Sequence, residues 1–446
     1  MFFSRTFYCF VLFYLIVMVK AYTVFNPECS RPTTSYNFVL NPDFRGTLDI
    51  LWSSLFTVFA CTWTIQHPNV PEQRRGRYPG WKGDLRWGLR GFWTSIKLAF
   101  SIVIAPEIII TIATSDFILA RLSFRDINAH FKEDNVPWTL SHSHFADMGG
   151  FVIRVADETE AGLVPDSKIS HHNPYHLSAA DILDLRREGH IRRLPSITEE
   201  ELHDRSKADP ALKAIAVTQI FFSMLQVTIR ACRQLTISLL ELSVLAFAAC
   251  AIAIYALYWK KPKSVLSSVT ILEYKGSIPP DVFNVLQQRK IKNQTRSMVR
   301  VLFPPGFSPL RRNTGFPGEP FCNTGSKWTK VSQGTEWIFR MSGLGAAMIF
   351  GGVHVAGWNF VFPTRAEQIA WRTASLYTAA FGVVIYLLSQ SARAGYYNVM
   401  QWGKCVASWI YLFSRLFILV EIFRTLFFLP PDVYVSTWTL NIPHFS

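Results

Sequence analysis

The sequence predicts an all-α membrane protein, a bundle of about seven transmembrane helices carrying a small mixed α/β loop module. Three observations predict it. Only 17% of the 446 residues are charged and 50% are hydrophobic, whereas a soluble domain has about 25% charged residues to cover its surface. Several windows of 16 to 25 residues hold one ionisable group or none, which is the length that crosses a hydrocarbon layer as helix. Two long polar segments, 116–210 and 260–337, interrupt these windows. The same composition excludes a soluble enzyme, a disordered scaffold and a disulfide-knotted secreted domain.

Taken in order, residues 1–21 have the layout of a signal peptide: Arg5, an apolar run, and Val19-Lys20-Ala21 as a cleavage site. An uncleaved signal anchor is the alternative, and either one starts the segment 22–47 on the lumenal side. The block 48–115 holds two spans, 48–65 and 98–115, joined by a basic loop. The block 211–259 holds 214–229, short and interrupted by Gln219 and Gln226, and 235–259, with Glu241 as its one charge. The block 338–429 holds 341–362 with His354, 373–391 with no charge, and 406–429 with Arg415, Glu421 and Arg424, before a tail at 430–446.

The loop 116–210 contains 8 of the 11 His and 17 of the 31 acids, so it reads as a folded module. Within it, 151–156 alternates like a strand, and Ser178 and Thr198 open helices with acids three residues later. The loop 260–337 carries 13 Lys and Arg against 4 acids, with 8 Pro, and reads as basic and turn-rich. Seven spans from a lumenal start put the basic loop 67–97 in the cytosol, as the positive-inside rule prefers. They put 260–337 in the lumen, where Lys260, Lys261 and Lys263 sit less naturally. If 98–115 or 214–229 is re-entrant, six spans remain and 260–337 becomes cytosolic. A lumenal loop would make Asn293, in the only Asn-x-Ser/Thr sequon, a glycosylation acceptor and would let Cys29 and Cys322 form a disulfide. Cys61, Cys232, Cys250 and Cys405 lie in or beside spans and read as small apolar fillers.

Ionisable groups inside a bilayer are costly and need partners. Glu107, Glu241, His354 and Arg415 therefore form the candidate intramembrane polar site, with Glu107 and Arg415 expected to pair across helices. Pro106 removes a backbone donor beside Glu107, so the helix is expected to kink there. The alternative is a buried structural ion pair. Glu421 and Arg424, three apart, read as a local pair. Gly343, Ala347 and Gly351, at intervals of four, form a ridge that lets helices approach closely. His354, beside it, is a proton acceptor, a lipid-modifying base or a hydrogen-bonded core histidine. His142 and His144, with His171, His172 and His176 and with Asp147 and His130 nearby, invite a metal reading, but they lack helix-like ligand spacing and a companion Cys. No metal and no cofactor is assigned, and no catalytic motif occurs, so the reading leans against an enzyme.

Several stretches together resemble a large family of uncharacterised fungal multi-pass integral membrane proteins: 46–71, Ala105-Pro106-Glu107, 138–151 (WTLSHSHFADMGGF), 204–209 (DRSKAD), 235–248, 354–372 and 415–429. The resemblance covers most of the chain and departs at Leu239, where the family more often has a polar residue. It implies a multi-span fungal protein whose recurring motifs include Glu107, His142, Glu241, His354, Arg415 and Glu421, and it implies no activity.

The expected function is a non-enzymatic transporter or receptor-like protein of the secretory pathway or cell surface, with a polar midplane site and a lumenal or extracellular N-terminus. The alternatives are an intramembrane lipid-modifying enzyme using His354 and a structural or adaptor protein whose basic loop binds anionic lipid. Expected partners are the lipid bilayer and a small-molecule or lipid ligand. The net charge of +14 is explained by topology signals and one loop, so nucleic acid is not among them.

Overall fold

The computed structural model describes residues 44–71, 80–156, 174–206, 210–275, 278–282, 284–286, 333–393 and 397–437. The chain is mostly helical. Among the described residues, five helices are long and apolar enough to cross a membrane, over Ala211–Cys232, Leu239–Leu257, Met341–Asn359, Arg365–Leu388 and Trp402–Phe428. They belong to α7 (Pro210–Cys232), α8 (Leu239–Leu257), α9 (Gln333–Val355) with the 3-10 turn that follows it, α10 (Arg365–Arg393) and α11 (Tyr397–Arg424). A shorter helix, α1 (Thr47–Thr64), packs against α7 and α8.

The predicted span 98–115 is not one helix. It is divided between α2 (Trp81–Ile104) and α3 (Pro106–His130), which meet at Ala105 and are bent by 109°. The cause is local: Pro106 has no N–H to donate, and its fixed φ suits the first position of a new helix better than the interior of an old one. The residue before it, Ala105, leaves the helical region at φ −147° and ψ 70°.

The bundle has two ends. At one, which carries the C-terminal tail, α1 and α8 begin and α7 and α11 finish; there Arg45 donates its backbone N–H to Tyr434, and Arg230 donates to the carbonyls of Asp432, Val433 and Val435. At the other, α1 and α8 finish, and Lys263 Nζ donates to the Thr64 carbonyl at 2.6 Å.

The folded module sits at this second end. Its elements are α4 (Leu140–Asp147), β1 (Phe151–Ala156), β2 (Tyr175–Leu177), α5 (Ala179–Arg187) and α6 (Glu199–Arg205). As predicted, the strand covers 151–156, and Ser178 and Thr198 cap the two helices through Asp181 and Glu201. The module also recruits the second long loop. β3 (Val269–Lys275) pairs in parallel with β1, giving a sheet in the order β2-β1-β3, and Val265, Ile278, Val282 and Leu286 enter the same core as Phe145, Phe151 and Ile182. The loop read as irregular from its prolines is thus part of the module over this stretch. Two further contacts fasten the chain just beyond α1 to this end: the Val70 N–H donates to Met148 at 3.0 Å, and Val70 lies in the module core.

Candidate functional site

The break at Pro106 places charge deep inside the bundle. A helix that ends leaves its last carbonyls without partners and bears partial negative charge there, while one that begins bears partial positive charge. Both ends meet here. Arg415 of α11 serves the first: its Nε donates to Ile104 at 2.8 Å and its Nη2 to Val103 at 3.0 Å. Glu107 sits in the first turn of α3, at the second. Its Oε1 accepts from the Tyr411 hydroxyl, one helical turn before Arg415. The guanidinium also lies 4.3 Å from the centre of the Phe350 ring of α9, a cation–π contact.

The expected Glu107–Arg415 ion pair does not form, because Arg415 is committed to the carbonyls that the proline break releases. The two groups are 4% and 5% exposed, and each retains one buried polar atom with no protein partner, Glu107 Oε2 and Arg415 Nη1. Buried polar atoms are nearly always paired, so an acceptor and a donor left bare at the same break are the chemical signature of the site.

The other candidates separate from this pair. Glu241 belongs to a different constellation at the tail end. Arg45 grips it with Nη1 at 2.5 Å and Nη2 at 3.1 Å, while Ser238 donates from both N–H and Oγ at 2.9 Å. Arg45 Nε and Arg230 fasten the same chain segment, Asp432 to Val435, through its carbonyls. His354 has both ring nitrogens engaged, Nδ1 with the Phe350 carbonyl at 2.8 Å and Nε2 with Ser243 Oγ at 3.3 Å. It has the environment of a core histidine, closed in by Phe350, Ser243 and Trp371. Arg424 pairs with Glu367 at 2.8 Å rather than with Glu421, whose Oε1 is buried without a partner.

The small-residue ridge contacts other helices. A Cβ on Gly351 would stand 2.5 Å from the Ala379 Cα of α10, and one on Gly343 would stand 3.1 Å from Thr111 Oγ1 of α3. Ala347 is buried, and a Cβ on Gly382 of α10 would stand 3.6 Å from its own.

In the module, His142 takes part in the α4 N-cap with Thr139 and bonds the Ile197 carbonyl, and His176 bonds Gly149. Among the described residues no three His, Cys, Asp or Glu side chains are grouped to hold a metal ion. Asn293, Cys29, Cys322, His171 and His172 lie outside the described residues. Sequence reasoning missed Arg45, Arg230 and Tyr411 as members of these constellations. Arg230 was visible as a charge flanking a span, Arg45 lay in a polar stretch before one, and Tyr411 was one aromatic among many.

Residues 13–279 match the model of a family of unknown function (DUF8562). No curated protein and no solved structure gives a significant match. The matched residues include Glu107, Glu241 and the module, whereas Tyr411 and Arg415 lie beyond them.

Proposed function

The chain belongs to this family of unknown function, and from that premise we propose that it is a polytopic integral membrane protein that binds or carries a small polar solute at the Glu107–Tyr411–Arg415 break. One observation carries the reading: a bare carboxylate oxygen and a bare guanidinium nitrogen, each on a side chain at least nine-tenths buried, face a helix break. Discontinuous helices with charge at the break are how membrane carriers hold polar solutes near the midplane. A solute with both a cationic and an anionic group suits the two bare atoms. Thermal unfolding of the full-length protein in nanodiscs, with zwitterionic, purely anionic and purely cationic small molecules, tests this. At least one zwitterion raises the midpoint of the wild type and has no effect on Arg415→Gln. Absence of any shift, or an equal shift in the variant, overturns the reading.

The placement of the break follows from the chain path. α1 runs from Arg45 at the tail end to Thr64 at the module end, and the chain beyond it stays there, bonded to Met148. α3 runs from the break to Asp116, where Tyr258 and Lys261 at the end of α8 donate to its carboxylate. Ten residues of helix cover about 15 Å, half of a hydrocarbon core. The pair α2–α3 thus enters and leaves by the module face. This supports six crossings, α1 and α7 to α11, plus one re-entrant pair, in place of seven crossings. α2 exposes Trp81, Leu85, Leu89, Phe92 and Trp93, with Lys82 and Lys97 over tryptophan rings, which suits a helix embedded obliquely at the headgroup level.

Six crossings put both basic segments, 67–97 and 260–337, on the module face. The positive-inside rule makes that face cytosolic and leaves the N-terminal segment and tail lumenal or extracellular. Asn293 is then unglycosylated, and Cys29 and Cys322 lie on opposite sides. An epitope inserted near Gly318 should be stained only after the plasma membrane is permeabilised, with internal membranes left intact; lumenal or external staining restores seven crossings.

A further inference from the structure

The face where the module meets the bundle is lined by titratable groups that the midplane site does not use. His144 of α4 is 0% exposed, and neither ring nitrogen has a protein partner. Asp147, one turn further on the same helix, accepts from the Ala179 N–H at 3.1 Å through Oδ1, while Oδ2 is buried and bare. From the bundle side come Asp116 of α3 and Lys261, joined at 2.7 Å, with the lysine Nζ 4.3 Å from the centre of the Tyr258 ring. His67, just beyond α1, packs on the same tyrosine ring at 4.9 Å, with Nδ1 bonded to the Ile65 carbonyl at 3.0 Å. Lys263 and Lys213 complete the positive surroundings of His67, and Asp181 of α5 faces Asp147. His142 and His176 are bonded within the module and do not change partners if it lifts away.

We propose that this seam is an acid-sensitive latch: His67 and His144, buried side by side with lysines, hold the module on the bundle while neutral, and proton uptake by both releases it. Neither ring can be charged in place. A charged imidazole at these positions would be desolvated and would face Lys261, with no carboxylate bonded to either ring. Burial, followed by Lys261, pushes His144 well below its ordinary value of 6.5, and burial takes His67 down to about 3. Asp147 works in the opposite sense: burial and the neighbouring Asp116 and Asp181 push its carboxyl up to about 7 from 3.8.

The balance of protons sets the sign. Between about pH 4 and 6.5, opening the seam to water lets His67 and His144 each take up a proton and lets Asp147 lose one. The net uptake is one, so the opening constant rises by up to tenfold for each unit of acidification. Near pH 7 the remaining uptake by the two imidazoles and the remaining loss from Asp147 nearly cancel, and well above 7 none of the three exchanges a proton on opening, so the latch is indifferent to pH.

Val70 reports on the latch, because its N–H donates across the seam to Met148. Hydrogen exchange of the Val70 amide in the full-length protein in nanodiscs, corrected for intrinsic rates, should be independent of pH from 7.5 to 8.5. Between 6.5 and 5 its protection should fall by up to tenfold per unit. His144→Gln removes one uptake and should flatten that fall. Asp147→Asn keeps the acceptor for Ala179 but removes the offsetting loss, and should steepen it towards hundredfold per unit. If the His144 variant shows no protection at pH 8, His67→Gln provides the same test. Protection of the wild type that does not change with pH, or slopes that are identical in all variants, overturns the proposal.

Discussion

Among the described residues, two arginine–glutamate constellations lie fully buried in the bundle, and they differ in how completely they are satisfied. At the tail end, Glu241 receives two bonds from Arg45 and two from Ser238, and Arg45 and Arg230 spend their remaining donors on carbonyls of the tail and of Thr236. At the Pro106 break, Glu107 and Arg415 are equally buried but never meet, and each leaves one atom bare. A fully bonded buried ion pair acts as a fastener, since its lone pairs and protons are all used within the chain. An incompletely bonded one has capacity left over for something else. Burial is the same in both places and the tail end adds a second arginine, Arg230, but the difference that bears on binding is completeness of partnering: both oxygens of Glu241 are bonded, whereas Glu107 keeps one bare.

The largest effect that would sharpen this contrast is expected at the lock. Glu241→Gln puts an amide N–H₂ where Ser238 and Arg45 both donate, and leaves two buried guanidiniums without their counter-charge. Removing one member of a buried pair costs roughly 3 to 5 kcal/mol, a large part of the stability of most domains. The expected result is a steep fall in the folded fraction recovered in detergent and a lower thermal midpoint, with or without any solute. A midpoint equal to that of the wild type would mean that the tail is not fastened by this pair.

Much of the contrast was legible in the sequence, and the missing part has a physical reason. A lone charge in an apolar window cannot go unnoticed, so Glu107, Glu241, His354 and Arg415 stood out, and Pro106 announced the break. Which charges meet is decided by helix packing over separations such as the 196 residues between Arg45 and Glu241, and no local pattern encodes that. The pairing of β1 with β3 escaped for the same reason: one strand alternates visibly, while the other lies in a stretch dominated by prolines and lysines. The path at 98–115 was ambiguous because hydropathy measures only whether a segment can enter the bilayer. Whether it crosses or turns back at Pro106 depends on contacts such as Val70 with Met148. The histidines of the module stood out in the sequence only as a metal candidate to which no metal was assigned, whereas the burial of His144 beside Lys261 depends on docking that the sequence alone does not reveal.

The smallest effect on stability is expected at the break, in the matched substitution Glu107→Gln. The side chain is isosteric, its amide oxygen can keep the Tyr411 hydroxyl as donor, and the bare oxygen becomes an N–H₂ in a place where no protein donor opposes it. Arg415 keeps both backbone carbonyls and the Phe350 ring, so it loses only a charge at a distance. The cost should not exceed about 1.5 kcal/mol, the scale of a single hydrogen bond, and is checked by the thermal midpoint without added solute. The stabilisation by a zwitterion expected of the wild type should nevertheless disappear, because the carboxylate proposed to meet its cationic end is gone. A drop as large as that of Glu241→Gln would instead make the break a second lock, with the two bare atoms bridged by water as part of the fold.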